Sequence, residues 1–197
     1  MNLKFLAVGL VVGSAAVSVA DPLVFQAFLD GPSESPPNAS PGTGFTTVTI
    51  DPVAHTLRVQ AEFSGLVAGV TASHIHVING PGDVNTGDTL GPVATQTPSF
   101  AGFPAGVTSG TYDGTFDTTL TSSFRAGWVT DSGGTAATAE AALFAGIMDG
   151  RAYLNIHSST FPGGEIRGFL QLVPEPATVT ALAMAGVGLL IKRRTRR

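Results

Sequence analysis

The 197-residue chain has no cysteine, which excludes a small disulfide-stapled scaffold. Charge is scarce: 12% of residues are ionised, and ten Lys and Arg against fourteen Asp and Glu leave a net charge of −4. A basic nucleic-acid binder is excluded on that count. There is one Trp, Trp128, set in the stretch Phe124 to Val129, where a packing role outweighs sugar stacking. No phosphate-binding glycine loop occurs, and no internal repeat. What is abundant is Gly (25) and Pro (13), at a mean hydropathy of +0.29. This length accommodates one domain with appendages.

Charge is distributed unevenly. Residues 21–173 hold thirteen acids and four bases, Arg58, Arg125, Arg151 and Arg167, while five bases crowd into Lys192 to Arg197 and a sixth is Lys4. An acidic body therefore lies between two basic ends, and it repels phosphate backbones and anionic lipid. Residues 1–20 read as a signal peptide, with Lys4 as the positive start, Phe5 to Val12 as the apolar stretch and Ser18-Val19-Ala20 as the cleavage site. The other end has three parts: Pro174-Glu175-Pro176, an apolar run from Ala177 to Ile191, and the basic cluster. Two prolines keep the first part extended and accessible. The run is slightly short of a full membrane span, and the basic end holds it on the cytoplasmic side. A plain tail anchor has the same span and charges but gives no reason for Pro-Glu-Pro.

The last 25 residues, 173–197, resemble the PEP-CTERM sorting signal of Gram-negative bacteria. The resemblance implies export, transient inner-membrane anchoring and processing near Pro174, Glu175 and Pro176 by a membrane enzyme of the exosortase type. The body is then left at the cell surface or in the extracellular matrix.

Between the two ends, short alternating or β-branched runs are separated by Gly, Pro, Asn and Asp. They predict strands at Leu23 to Leu29, Gly44 to Ile50, Leu57 to Phe63, Ser73 to Ile78, Pro92 to Gln96, Thr111 to Phe116, Ala152 to His157 and Glu165 to Leu172. This is an all-β pattern, an antiparallel β-sandwich of Greek-key type. One helix is expected over Thr135 to Met148, closed by Asp149-Gly150, just before the penultimate strand. Turns are expected at Asp51-Pro52 and at Asn79 to Gly82, and residues 80–110 have little regular structure.

Two segments carry chemistry. In Ser73-His74-Ile75-His76-Val77, strand alternation puts both imidazoles on one face and the aliphatics on the other. In Ala152 to Ser159, the same alternation puts Tyr153, Asn155 and His157 together, opposite Leu154 and Ile156. If the strands are neighbours, His74, His76 and His157 form a three-nitrogen site suited to Zn or Cu, with Asn155 and Glu165 supporting it. The alternative is a set of hydrogen-bonded structural histidines. Glu165 and Arg167 read as a surface ion pair of little worth.

These two segments, with Gly91-Pro92-Val93 and Pro162 to Gly168, resemble the CHRD domain family over about residues 23–172. The resemblance implies an exported sandwich whose molecular activity is undefined. The His-x-His strand is also similar to that of the copper/zinc superoxide dismutases, but four His and no Cys cannot supply that enzyme's six ligands and disulfide.

Other motifs fail on inspection. Asp131-Ser132-Gly133-Gly134 lacks the base and acid that would make the Ser a nucleophile, and it reads as a loop before the helix. Asp83 to Asp88 fits a calcium loop at only two positions. His55, beside a turn, reads as solvated. The resulting expectation is a non-enzymatic binding or structural module at the cell surface or in the matrix, meeting a polysaccharide or a surface protein. Its rival is a metal-binding protein or metalloenzyme built on the three histidines.

Overall fold

The computed structural model describes residues 21–84 and 89–174; residues 1–20, where a signal peptide is expected, residues 85–88 and the tail from Glu175 onward lie outside them. The described chain contains eight strands, β1 (Leu23–Asp30), β2 (Thr43–Asp51), β3 (Thr56–Ser64), β4 (Val70–Val77), β5 (Gly110–Asp117), β6 (Ala152–Ser158), β7 (Ile166–Phe169) and β8 (Gln171–Leu172), two α-helices, α1 (Ala126–Asp131) and α2 (Ala136–Met148), and a 3₁₀ turn at Thr121–Ser123. The expected all-β antiparallel fold is what forms. Its strands run as one continuous sheet in the order β4-β6-β7-β1-β2-β3-β5, with β8 beside β1, curled into a half-barrel around a single core.

Alternation builds the long strands. In β3, Leu57, Val59, Ala61 and Phe63 are buried, while Arg58, Glu62 and Ser64 are exposed. A period of two commits one face to the core and leaves the other to water. The β2–β3 hairpin turns at residues 52–55, where Asp51 Oδ1 accepts from the Val53 and Ala54 N–H groups at 2.9 and 2.8 Å. His55 closes this turn at φ +54°, and its Nδ1 lies 2.9 Å from the Glu140 carboxylate on α2. The expectation of a merely solvated His55 is therefore corrected, since the ring ties the hairpin to the helix.

The expected helix is α2. Thr135 caps it, its hydroxyl accepting from Thr138 N–H while Thr138 Oγ1 accepts from Thr135 N–H, a reciprocal box. At the other end Gly150 takes φ +68°, and the N–H groups of Arg151 and Gly150 bond the carbonyls of Gly146 and Ile147 at 2.9 and 3.1 Å. That is the paired closure a left-handed glycine allows. α2 lies on β4 through Gly146, where a Cβ would stand 2.4 Å from Val77 Cγ1. α1, which the sequence does not announce, is held by Trp128, fully buried with its indole N–H donating to Ala139 O at 3.0 Å.

The expected strand at Pro92–Gln96 does not form. Pro92 has no N–H to give a ladder, and the segment instead covers the free edge of β4 by mixed bonds. Pro92 O accepts from Val77 N, Ala94 N donates to Ile75 O, and the Thr95 hydroxyl accepts from Ile75 N at 2.9 Å. An exposed strand edge is thereby closed. The expected strand Glu165 to Leu172 divides into β7 and β8. Among the described residues no helix is long and apolar enough to cross a membrane, and the span expected at Ala177 to Ile191 lies outside them.

Candidate metal centre

β4 and β6 are antiparallel neighbours, with His74 opposite Asn155 and His76 opposite Tyr153. Ile75, Val77, Leu154 and Ile156 face the core, and the histidines, Tyr153 and Asn155 face the other way. That second face is also covered. Every residue of β6 is buried, because the segments around Glu34 and Gly91 and the β6–β7 loop roof the polar side.

Under this roof His74, His76 and His157 come together. One ring nitrogen of each lies within 4.8 Å of those of the other two. The His74 ring centroid is 4.6 Å from that of His76 and 4.7 Å from that of His157. A tetrahedral ion with nitrogen ligands at about 2.1 Å sets them roughly 3.4 Å apart. The nitrogens therefore stand up to about 1.4 Å wider apart than a bound ion would hold them.

Two backbone carbonyls fix the tautomers. His76 Nδ1 donates to Gly91 O at 2.6 Å and His157 Nδ1 donates to Pro162 O at 2.9 Å, because a carbonyl only accepts. Nε2 of each neutral ring is then a lone pair. Those two atoms, and His74 Nδ1, are buried without a hydrogen-bond partner. Burial, reinforced by the neighbouring rings and by Arg125, drives the His74 pKa down to about 2. Burial drives His76 down to about 4, against the opposing pull of Gly91 O, and it lowers His157 as well. All three rings are neutral at neutral pH, the form that binds a metal.

The surroundings are ordered. The Tyr153 ring stacks on His76 at 4.8 Å and 4°, and the Arg167 guanidinium lies over Tyr153 at 4.7 Å. Arg167 donates to the carbonyls of Ser33 and Thr89 and sits 3.8 Å from the Glu34 carboxylate. Both side chains are almost fully buried. Burial pushes Glu34 up to about 7 despite Arg167. Arg125 donates from Nε to Val93 O at 3.0 Å.

A family comparison matches the CHRD domain over residues 25–170. The chain belongs to the CHRD family. Comparison with curated proteins and with solved structures returned no significant match. Within this CHRD domain, the surface ion pair expected between Glu165 and Arg167 is a misreading. Glu165 is fully buried just ahead of β7, its carboxylate accepting from Ser40 Oγ and Val67 N at 2.6 Å each. Arg167, 3% exposed, belongs to the polar layer beside Glu34. Asn155 shares the histidine face, whereas Glu165 bonds to Ser40 and Val67 instead of a histidine. Sequence reasoning missed Glu34, 121 positions from its partner Asn155. The carbonyls of Gly91 and Pro162 carry no residue-specific signal, although both lie in the segments that resemble the family.

Asp131 ends α1 and Ser132 to Gly134 lead from it towards α2, with Gly133 and Gly134 at φ +112° and +84°. Of the calcium-like loop, residues 85–88 lie outside the described set, and Asp83 accepts from Asn79 N–H at 2.7 Å within its own turn.

Proposed function

We propose that this CHRD domain holds one Zn²⁺ or Cu²⁺ ion on His74, His76 and His157, in a protein exported by its signal peptide and sorted to the surface through its tail. The observation that carries the reading is the convergence of three neutral imidazoles with three buried, unpartnered nitrogen atoms. Leaving a buried acceptor unsatisfied costs about 1–3 kcal/mol, a cost that a metal ion removes. Three nitrogen donors without thiolate or carboxylate suit Zn²⁺ and Cu²⁺ better than Mg²⁺ or Ca²⁺. The carbonyls of Gly91 and Pro162 orient two of the rings, as outer partners of metal-bound histidines do. The test is thermal unfolding of the full chain in mild detergent without metal, with Zn²⁺ and with Cu²⁺. At a hundredfold excess over the dissociation constant the metal adds about 2.7 kcal/mol, and His76→Ala abolishes the gain. No stabilisation of the wild type by Zn²⁺ or Cu²⁺ defeats the proposal.

The reading of the domain as a module that meets an extracellular polysaccharide has one observation of its own. Phe28 is 80% exposed on the outer sheet face and packs on Phe45 at 5.0 Å, in a cleft also lined by Thr43, Glu62 and Thr111. Loss of retention on the producing organism's matrix polymer in Phe28→Ala supports it. Equal retention refutes it.

A further inference from the structure

We infer that Asn155 marks a fourth, exchangeable coordination position on the ion held by His74, His76 and His157, and that this position favours ligands able to donate a hydrogen bond. The inference rests on the metal reading above. Three ligands leave a tetrahedral ion one short, and among the described residues no fourth His, Asp or Glu joins the cluster. Asn155 shares the face of the three histidines and borders two of them. It lies directly across from His74 in the β4–β6 register and two residues before His157 on the same face, and it is 2% exposed.

Its amide is oriented from behind. Asn155 Nδ2 donates to the two Glu34 carboxylate oxygens at 3.2 and 3.3 Å, and Glu34 is backed by Arg167 at 3.8 Å. The glycine at 164, with φ +134°, leaves the space this needs. A Cβ there would stand 2.6 Å from Asn155 Nδ2 and 2.7 Å from Glu34 Oε1. With Nδ2 committed, Oδ1 is the atom left over, and it is buried with no partner. An amide oxygen accepts and cannot donate. It therefore stabilises water or hydroxide on the ion and offers nothing to azide or halide. Asn155 is a positioning residue in this account. It selects what occupies the open position, and the centre is one that exchanges ligands, unlike a sealed structural site.

The experiment uses the full chain loaded with Co²⁺, whose visible bands report coordination, and azide as the probe. Wild type, Asn155→Leu and Asn155→Ala are compared for cobalt stoichiometry and for the azide dissociation constant, with circular dichroism to confirm folding. The expected result is one Co²⁺ in all three and azide binding about tenfold tighter in the variants, the worth of one lost hydrogen bond to the competing ligand. If wild type binds cobalt but its spectrum ignores azide, the fourth position is closed and the inference falls while the metal reading stands. If azide binds all three alike, Asn155 is not the selecting group. If wild type binds no cobalt, the metal reading itself has failed and this inference goes with it.

Discussion

At the residue scale, Glu34 is a carboxylate that the fold buries beside an arginine. It sits 5% exposed against Arg167 and Asn155, and burial raises its pKa from 4.5 to about 7. The sign follows from linkage. Between about pH 4.5 and 7 the folded chain keeps a proton at Glu34 that the unfolded chain has released, so its contribution is present below 4.5 and is lost as pH rises to 7. Glu34→Gln therefore gains stability relative to wild type as pH increases across that window. Urea unfolding of both proteins at pH 5 and pH 8 checks this, and a stability difference that does not change with pH contradicts it. None of this was legible in the sequence. Glu34 stands in a Pro- and Ser-rich loop and meets Asn155 only after β6 and β7 are in place. The histidine face was legible, because His-x-His in a strand can only point one way and Tyr153, Asn155 and His157 follow the same alternation.

At the element scale, what could be read was what period and punctuation dictate. The hairpin β2–β3, the two histidine strands and α2 with its Thr135 start and Gly150 stop all follow local rules. α1 could not be read, since Gly127, Val129 and Thr130 favour other states and only the burial of Trp128 holds the turn. Pro92 to Gln96 reads as a strand by its residues, and it does run along a strand. Its missing N–H makes it an irregular edge cover instead. The contact of α2 with β4 makes a prediction at this scale. Gly146→Ala places a methyl into Val77 Cγ1 in a packed core, which costs about 1–3 kcal/mol. A denaturation midpoint unchanged from wild type would show that the helix shifts freely on the sheet. The tail makes another. Under sorting by cleavage, Glu175→Ala leaves the full-length precursor to accumulate in the producing bacterium, read by immunoblot. An unchanged size distribution points to a plain anchor.

At the scale of the whole molecule, one half of the sheet carries an ordinary core on one side and solvent on the other. The β4-β6-β7 half is covered on both faces. Its second layer is polar: three histidines, Tyr153, Asn155, Arg167 and Glu34 under a roof of loops. Buried polar groups in such numbers are expensive unless each is paired, and most here are. The unpaired atoms include the three histidine nitrogens and Asn155 Oδ1. The body's excess of nine acids over residues 21–173 keeps it soluble and biases it toward cations. The central claim is therefore a statement about occupancy. It is tested most directly by elemental mass spectrometry on the full chain, purified without a His tag, alongside His74→Ala/His76→Ala/His157→Ala. The account predicts close to one Zn or Cu per wild-type chain and none above background in the triple variant. A wild-type protein that stays empty after incubation with either metal, or a triple variant that retains it, contradicts the account.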